Sequence, residues 1–219
     1  MTSTEEPDNQ EALDMDRPKS LRLRHRPVQR RGEVRFDSIL SAARHLLMDK
    51  GIEGFVVEDV ADYAEIPVGS VYQFFPNKLA IVAELAADDT NSLIQDLEKY
   101  HVLPAENLTE NVEEMIAQVV IRWREDPSRS AVWLAMKSTG ATRAMAEEQS
   151  SRMAAAIVPV LRPLSNWSDQ GLKLVADVII ELSQSIMLLA YRGGRLNEDV
   201  VAELERVIRG YLRAVALDR

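Results

Sequence analysis

From Glu33 onward, apolar residues recur every three or four positions, the period of a helix with one face buried. Phe36, Ile39, Leu40, Ala43, Leu46 and Leu47 form the first stripe, and Gly51 supplies its stop, which predicts a helix over 33–50. A short helix near 58–64 (Val60, Ala61, Ala64), a turn and a second short helix near 68–74 follow. Asn77 is placed to cap a long helix running to about Tyr100. Past Pro104 the period persists. Val112, Met115, Ile116, Val119, Val120 and Trp123 share one face before Pro127, and Val132, Trp133 and Met136 share a shorter one ended near Gly140. A helix over 142–162 is ended or kinked by Pro159. Residues 168–191 are apolar nearly all round except for Lys173, Asp177, Glu181 and Gln184, as in a helix sandwiched between others, and Gly193 and Gly194 close it. Asn197, Glu198 and Asp199 open the last helix, striped by Val200, Leu204, Val207, Ile208, Tyr211 and Val215. No segment alternates with period two, so the expected fold is all-α with about nine helices.

Residues 1–32 lack an apolar period and carry Pro18 and Pro27, which predicts a disordered or extended arm. The charge along it is segregated. Residues 1–16 hold six acids and no base, whereas residues 17–35 hold eight bases and one acid. The remainder carries 18 bases and 28 acids, so the net charge of −9 hides one basic segment suited to nucleic acid.

Composition narrows the chemistry. With no cysteine, disulfides, thiol nucleophiles and cysteine-ligated zinc are excluded. His25, His45 and His101 are too scattered for an i,i+4 metal pair, so neither a metal nor a cofactor is expected. Carboxylates scattered over acidic helix faces supply no convergent nucleophile and base, so an enzyme is not expected either. The N-terminus has no apolar stretch of a secretory signal, and Asp177, Glu181 and Gln184 interrupt the most apolar run. A soluble cytoplasmic protein without a membrane segment is the expectation.

The stretch "DYAEIPVGSVYQFFPNK", residues 62–78, packs a proline, a glycine and two phenylalanines between helical flanks. Two short helices at a steep turn under a longer first helix make a helix-turn-helix, whose second helix enters a major groove. Val60, Ala61 and Ala64 then face inward, Ile66 plugs the turn, Val71 and Phe75 anchor the recognition helix, and Gly69 lets the two backbones approach. Val68, Ser70, Tyr72 and Gln73 face DNA. Lys78, at the start of the next helix, adds an ammonium to free backbone amides, a phosphate site.

The segment "VEDVADYAEIPVGSVYQFFPNKLAIV" resembles the DNA-binding signature of the tetracycline-repressor (TetR) family of bacterial regulators. The matching positions are Ala61, Ala64, Ile66, Gly69, Ser70, Tyr72, Phe75 and Lys78, within about 36–85. The resemblance implies an N-terminal three-helix DNA-binding domain and a C-terminal helical domain that takes a small ligand and forms a homodimer through its last two helices. It also implies a repressor of double-stranded DNA released by that ligand. Domains are expected at 33–83 and 84–219, after the arm. Three positions depart from the family. Phe55, Val56 and Val57 stand where a Thr or Ser caps helix two, Glu65 replaces a turn glycine, and Pro67 replaces a capping serine. A lost cap costs about 1 kcal/mol, and a positive φ at a non-glycine roughly the same.

Arg22, Arg24, Arg26, Arg30 and Arg31 of the arm are expected on phosphates or in a minor groove rather than in a solvated tail. Met115, Trp123, Trp133, Met136, Met187 and Tyr191 are candidates for an adaptable apolar ligand pocket, although each also suits ordinary core. Leu204, Val207, Ile208 and Tyr211 are expected at the dimer seam with 168–191. The line Asp177, Glu181, Gln184 fits solvent, seam or pocket floor equally. The rival reading is an all-helical dimeric protein-interaction module with a degenerate DNA-binding head.

Overall fold

The computed structural model describes residues 17–99, 108–164, 167–192 and 195–217. The acidic segment 1–16, Tyr100, His101, Pro104 and the Gly193–Gly194 stop lie outside them. Among the described residues there are nine α-helices and no strand: α1 (Arg30–Lys50), α2 (Val57–Tyr63), α3 (Val68–Phe74), α4 (Lys78–Glu98), α5 (Leu108–Glu125), α6 (Ser128–Ser138), α7 (Gly140–Leu161), α8 (Asp169–Ala190) and α9 (Glu198–Leu217).

The stops and caps act through backbone chemistry. α1 ends where Gly51, at φ 66°, sends its N–H back to Leu47 O at 3.0 Å. Asn77 accepts from the Ala80 N–H at 3.0 Å and so caps α4; Thr139 and Ser168 do the same for α7 and α8. Pro159 sits two residues before the last residue of α7, so it marks the end of that helix rather than kinking its middle.

Burial corrects the expected sandwiched helix. The all-round buried element is the first half of α4, where every residue from Ala80 to Ala87 is buried, Glu84 included. It lies between α1 on one side and α6 and α7 on the other. α8 packs on α7 and α9 yet leaves Leu174 63% and Leu189 45% exposed. None of the described helices is long and apolar enough to cross a membrane.

The arm is a second correction. Residues 17–29 are docked on the body, and α1 starts at Arg30 rather than Glu33. A 3-10 turn, Lys19–Leu21, drives Leu21 to 0% exposure, and Asn77 Nδ2 donates to Ser20 O at 2.8 Å. Glu84, itself 0% exposed, pairs with Arg17 and Arg26, each at 2.7 Å. A buried carboxylate without partners would cost several kcal/mol, so these arginines fasten the strap to α4.

Candidate DNA-reading head and apolar cavity

Within the head, α2 and α3 meet through a turn in which Ile66 N–H donates to Ala61 O at 3.0 Å and Glu65 takes φ 54°. No side-chain oxygen caps α2 at Val56, but Asp59 accepts the Val56 N–H at 2.8 Å, half of a capping box. α3 starts after Pro67, whose fixed φ of −59° suits the entry. Its inner face is sealed by Val71 and Phe75, both 0% exposed. Phe74, which sequence reasoning passed over, is also buried and stands edge-on to Phe36 at 5.5 Å.

The outer face of α3 presents Val68 and Gln73 exposed and Ser70 and Tyr72 half-buried. Gly69 does not mediate a close helix approach as expected. A Cβ placed on it would meet nothing within 4 Å. Tyr72 OH donates to Glu58 Oε1 at 3.3 Å, tying α3 to α2. Lys78 also departs from expectation, because its Nζ donates inward to Ile52 O at 2.7 Å and Phe55 O at 3.0 Å, over the Phe55 ring. Those carbonyls close the loop between α1 and α2, so Lys78 secures the head's frame instead of standing free for phosphate.

Two arm arginines depart from the expected phosphate set in a similar way. Arg24 donates its N–H to Phe74 O and its Nη1 to Tyr72 O, each at 2.8 Å, satisfying carbonyls left over at the end of α3. Arg22 Nε donates to Arg17 O at 2.6 Å. With Arg26 on Glu84, these three shape the strap, whereas Arg30 and Arg31 are exposed on the first turn of α1.

In the body, a cavity enclosing about 620 Å³ of space not filled by atoms, its mouth included, opens among α4, α5, α6, α7, α8 and α9. Met115, Trp123, Trp133 and Met187 line it. Met136 and Tyr191 do not. Met136 is 0% exposed in the core, and the Tyr191 hydroxyl donates to the Trp123 carbonyl, holding that indole in place. Burial pushes the Tyr191 phenol up from its ordinary value. Leu93, Leu97, Ile157 and Ile179 are also in the wall; their regular spacing marked them as core, with nothing to separate pocket from packing. Gln184, left open between three roles, lies in this wall at 6% exposure and accepts from Ser150 Oγ at 3.2 Å. Its neighbours in that line face outward, Asp177 on Lys173 and Glu181 on Lys137.

A smaller compartment of about 290 Å³ adjoins the first and shares Leu93, Val119, Trp123, Trp133 and Met153 with it. It adds Asp89, Thr90, Arg122 and Arg129. Asp89, on α4, takes Arg44 of α1 at 2.6 Å and Arg129 of α6 at 2.7 Å. One carboxylate therefore joins head, cavity wall and body. Asp89 stands in the polar run Asp88, Asp89, Thr90, Asn91, Ser92, so no local signal sets it apart.

Residues 39–85 match the family described as bacterial regulatory proteins, tetR family, and residues 106–216 match the tetracyclin repressor-like, C-terminal domain. The chain belongs to the TetR family. It is thereby a TetR-family transcriptional regulator, an HTH head on a helical C-terminal domain. An uncharacterized HTH-type transcriptional regulator of Bacillus subtilis (strain 168), YdeS, is 29% identical over 99 residues, 41% of this chain and 50% of that protein, so the match spans half of the relative's length. A TetR-family regulator from Streptomyces coelicolor is similar in structure at 27% identity and TM-score 0.50, covering 83% of this chain and 99% of that one. Another from Rhodococcus sp. RHA1 reaches TM-score 0.59 at 15% identity over 85% and 97%. A SmeT–triclosan complex reaches 0.60 at 18% identity over 84% and 88%.

The dimer residues expected on α9 divide. Leu204 and Ile208 are 0% exposed, turned into the chain's own core, and Leu204 lines the cavity. Val207 is 38% exposed and Tyr211 half-buried. A stripe one helix face wide serves the nearest apolar neighbour first, and here that neighbour is α8 of the same chain.

Proposed function

We propose that this TetR-family regulator is a cytoplasmic homodimeric repressor that leaves a palindromic operator when a small, largely apolar molecule fills the cavity. The observation that carries the reading is α3 itself: its inner face is fully buried while Val68, Gly69 and Gln73 stand open to a partner surface. Gln73 reads a base edge, Ser70 and Tyr72 meet phosphate, and Arg30 and Arg31 add charge beside the groove. The head is residues 33–83, with the strap from Arg17 as part of it, and residues 84–219 form the regulatory part.

SmeT, of the same fold, was captured with triclosan, which supports a small-molecule role for a cavity of this kind. The route to the head runs through Asp89. Movement of α4 or α6 around a ligand shifts the carboxylate that holds Arg44 of α1. For the dimer, Leu174 and Leu189 on α8 and Val207 on α9 are large apolar side chains left exposed among the described residues of the last two helices, and a second copy covers them.

Mobility shift on the DNA upstream of the protein's own gene tests the reading. A specific complex that Gln73→Ala retargets, at an affinity loss of about 1–3 kcal/mol, supports it. Equal loss on specific and random DNA removes Gln73 as a reader. Binding to no DNA favours the protein-interaction module. Sedimentation of Leu174→Glu with Leu189→Lys tests the seam, and a persistent dimer refutes it.

A further inference from the structure

The polar compartment beside the cavity holds hydrogen-bond donors without acceptors. Arg122 sends Nη1 to Asp96, while its Nη2 is buried with no partner among the described residues. Arg129 sends Nη1 to Asp89, while its buried Nε lies 3.7 Å from Asp126 Oδ2, beyond hydrogen-bond reach. The Thr90 hydroxyl, in a residue 1% exposed, and Gln184 Nε2, in one 6% exposed, likewise have no partner among the described residues. Buried polar groups are normally satisfied, so three in this compartment and a fourth in the wall of the adjoining cavity call for an explanation. The nearby Asp89 carboxylate is given instead to Arg44 at 2.6 and 3.2 Å and to Arg129 Nη1 at 2.7 Å.

We infer that the molecule taken by this cavity is an apolar body ending in a carboxylate or similarly compact anionic acceptor, its head on Arg122, Arg129 and Thr90. This rests on the proposed ligand role of the cavity and gives that ligand its chemical class. The apolar part lies against Trp133, Met115 and Ile157, and Gln184 offers its amide N–H midway along. An acceptor supplies the partner that these buried donors lack, and a negative charge gains most from two guanidinium groups shielded from water. A cationic head meets the like charge of Arg122 and Arg129, and the one carboxylate in the lining, Asp89, is already held by Arg44 and Arg129. The head also lies beside the Asp89–Arg129 pair, so its charge competes for Arg129 at the point where Arg44 ties α1 to the body.

Calorimetric titration of the full chain with decanoate, decanol and decyltrimethylammonium, which share a decyl tail and differ in head, tests this. Decanoate is expected to bind at least tenfold more tightly than decanol. Arg122→Met and Thr90→Val are each expected to weaken decanoate about tenfold and to leave decanol within twofold, a selective change that general loosening of the fold does not produce. Decanol or the cation binding as well as decanoate overturns the head-group assignment while leaving the cavity as a ligand site. Heat from none of the three, with unchanged circular dichroism, overturns the ligand role of the cavity and this inference with it.

Discussion

Gly69→Ala separates what α3 does for the fold from what it does for DNA. Gly69 is the second residue of α3 and has helical rather than positive φ. A glycine inside a helix costs about 0.5–1 kcal/mol relative to alanine, because the unfolded chain has more conformations to lose. The added Cβ meets nothing within 4 Å, so no packing loss offsets that gain. Near the helix start the benefit falls toward the lower figure, about 0.5 kcal/mol, or roughly 1–2 °C in melting temperature for a chain of this size. On the outer face the same methyl stands where a phosphate or base edge approaches the backbone, and displacing it lowers affinity by about tenfold, near 1.4 kcal/mol. Thermal unfolding and fluorescence anisotropy on operator DNA read the two effects independently. A lower melting temperature refutes the open geometry, and unchanged affinity refutes the close approach of DNA to this turn of helix.

Three further changes test the local physics. Glu65→Gly relieves the left-handed backbone at φ 54° and is expected to raise stability by up to about 1 kcal/mol in denaturant unfolding. Lys78→Met strands the Ile52 and Phe55 carbonyls and is expected to cost about 1–3 kcal/mol of stability. Its DNA affinity, corrected for the folded fraction, should fall by less than that of Gly69→Ala. Burial, then Glu84 beside it, pushes the Asp88 carboxyl up to about 6, so the folded state holds that proton more tightly than the unfolded one. Stability therefore falls as pH rises from about 4 to about 6 and stays low above, and Asp88→Asn is expected to flatten that window and gain about 1–2 kcal/mol at pH 7.5, a figure discounted for partial exposure.

The helices were legible because each apolar stripe has a single period, and the bounds of α3 follow from Pro67 on one side and Pro76 on the other. Contacts between distant segments were not. Leu21 and Leu23 sit among arginines and prolines with no helical period, so nothing local announces that Leu21 fills a hole beside α4. Glu84 reads as an ordinary surface acid until Arg17 and Arg26 are seen to close over it. The same limit explains the dimer stripe. Leu204, Ile208 and Val207 are chemically alike, and only the position of α8 decides that two face inward and one outward. For the cavity, residue type pointed to the tryptophans and methionines, while Asp89, Arg122 and Arg129 gained meaning only once α4, α5 and α6 were brought side by side.

The docked strap changes what the basic segment does on DNA. Of its eight bases, Arg17, Arg22, Arg24 and Arg26 are engaged with Glu84 or backbone carbonyls, while Lys19, Arg30, Arg31 and Arg35 remain exposed. Deleting the whole segment would remove Leu21 from the core and leave Glu84 buried without its arginines, so it would report on folding rather than on DNA. Neutralising the four exposed bases to Gln keeps both. Each phosphate contact contributes about −0.9 to the slope of log affinity against log salt, so loss of all four contacts flattens the slope by about 3.6 per subunit. Anisotropy of a random duplex across salt measures it. An unchanged slope would assign DNA charge neutralisation to residues outside this segment.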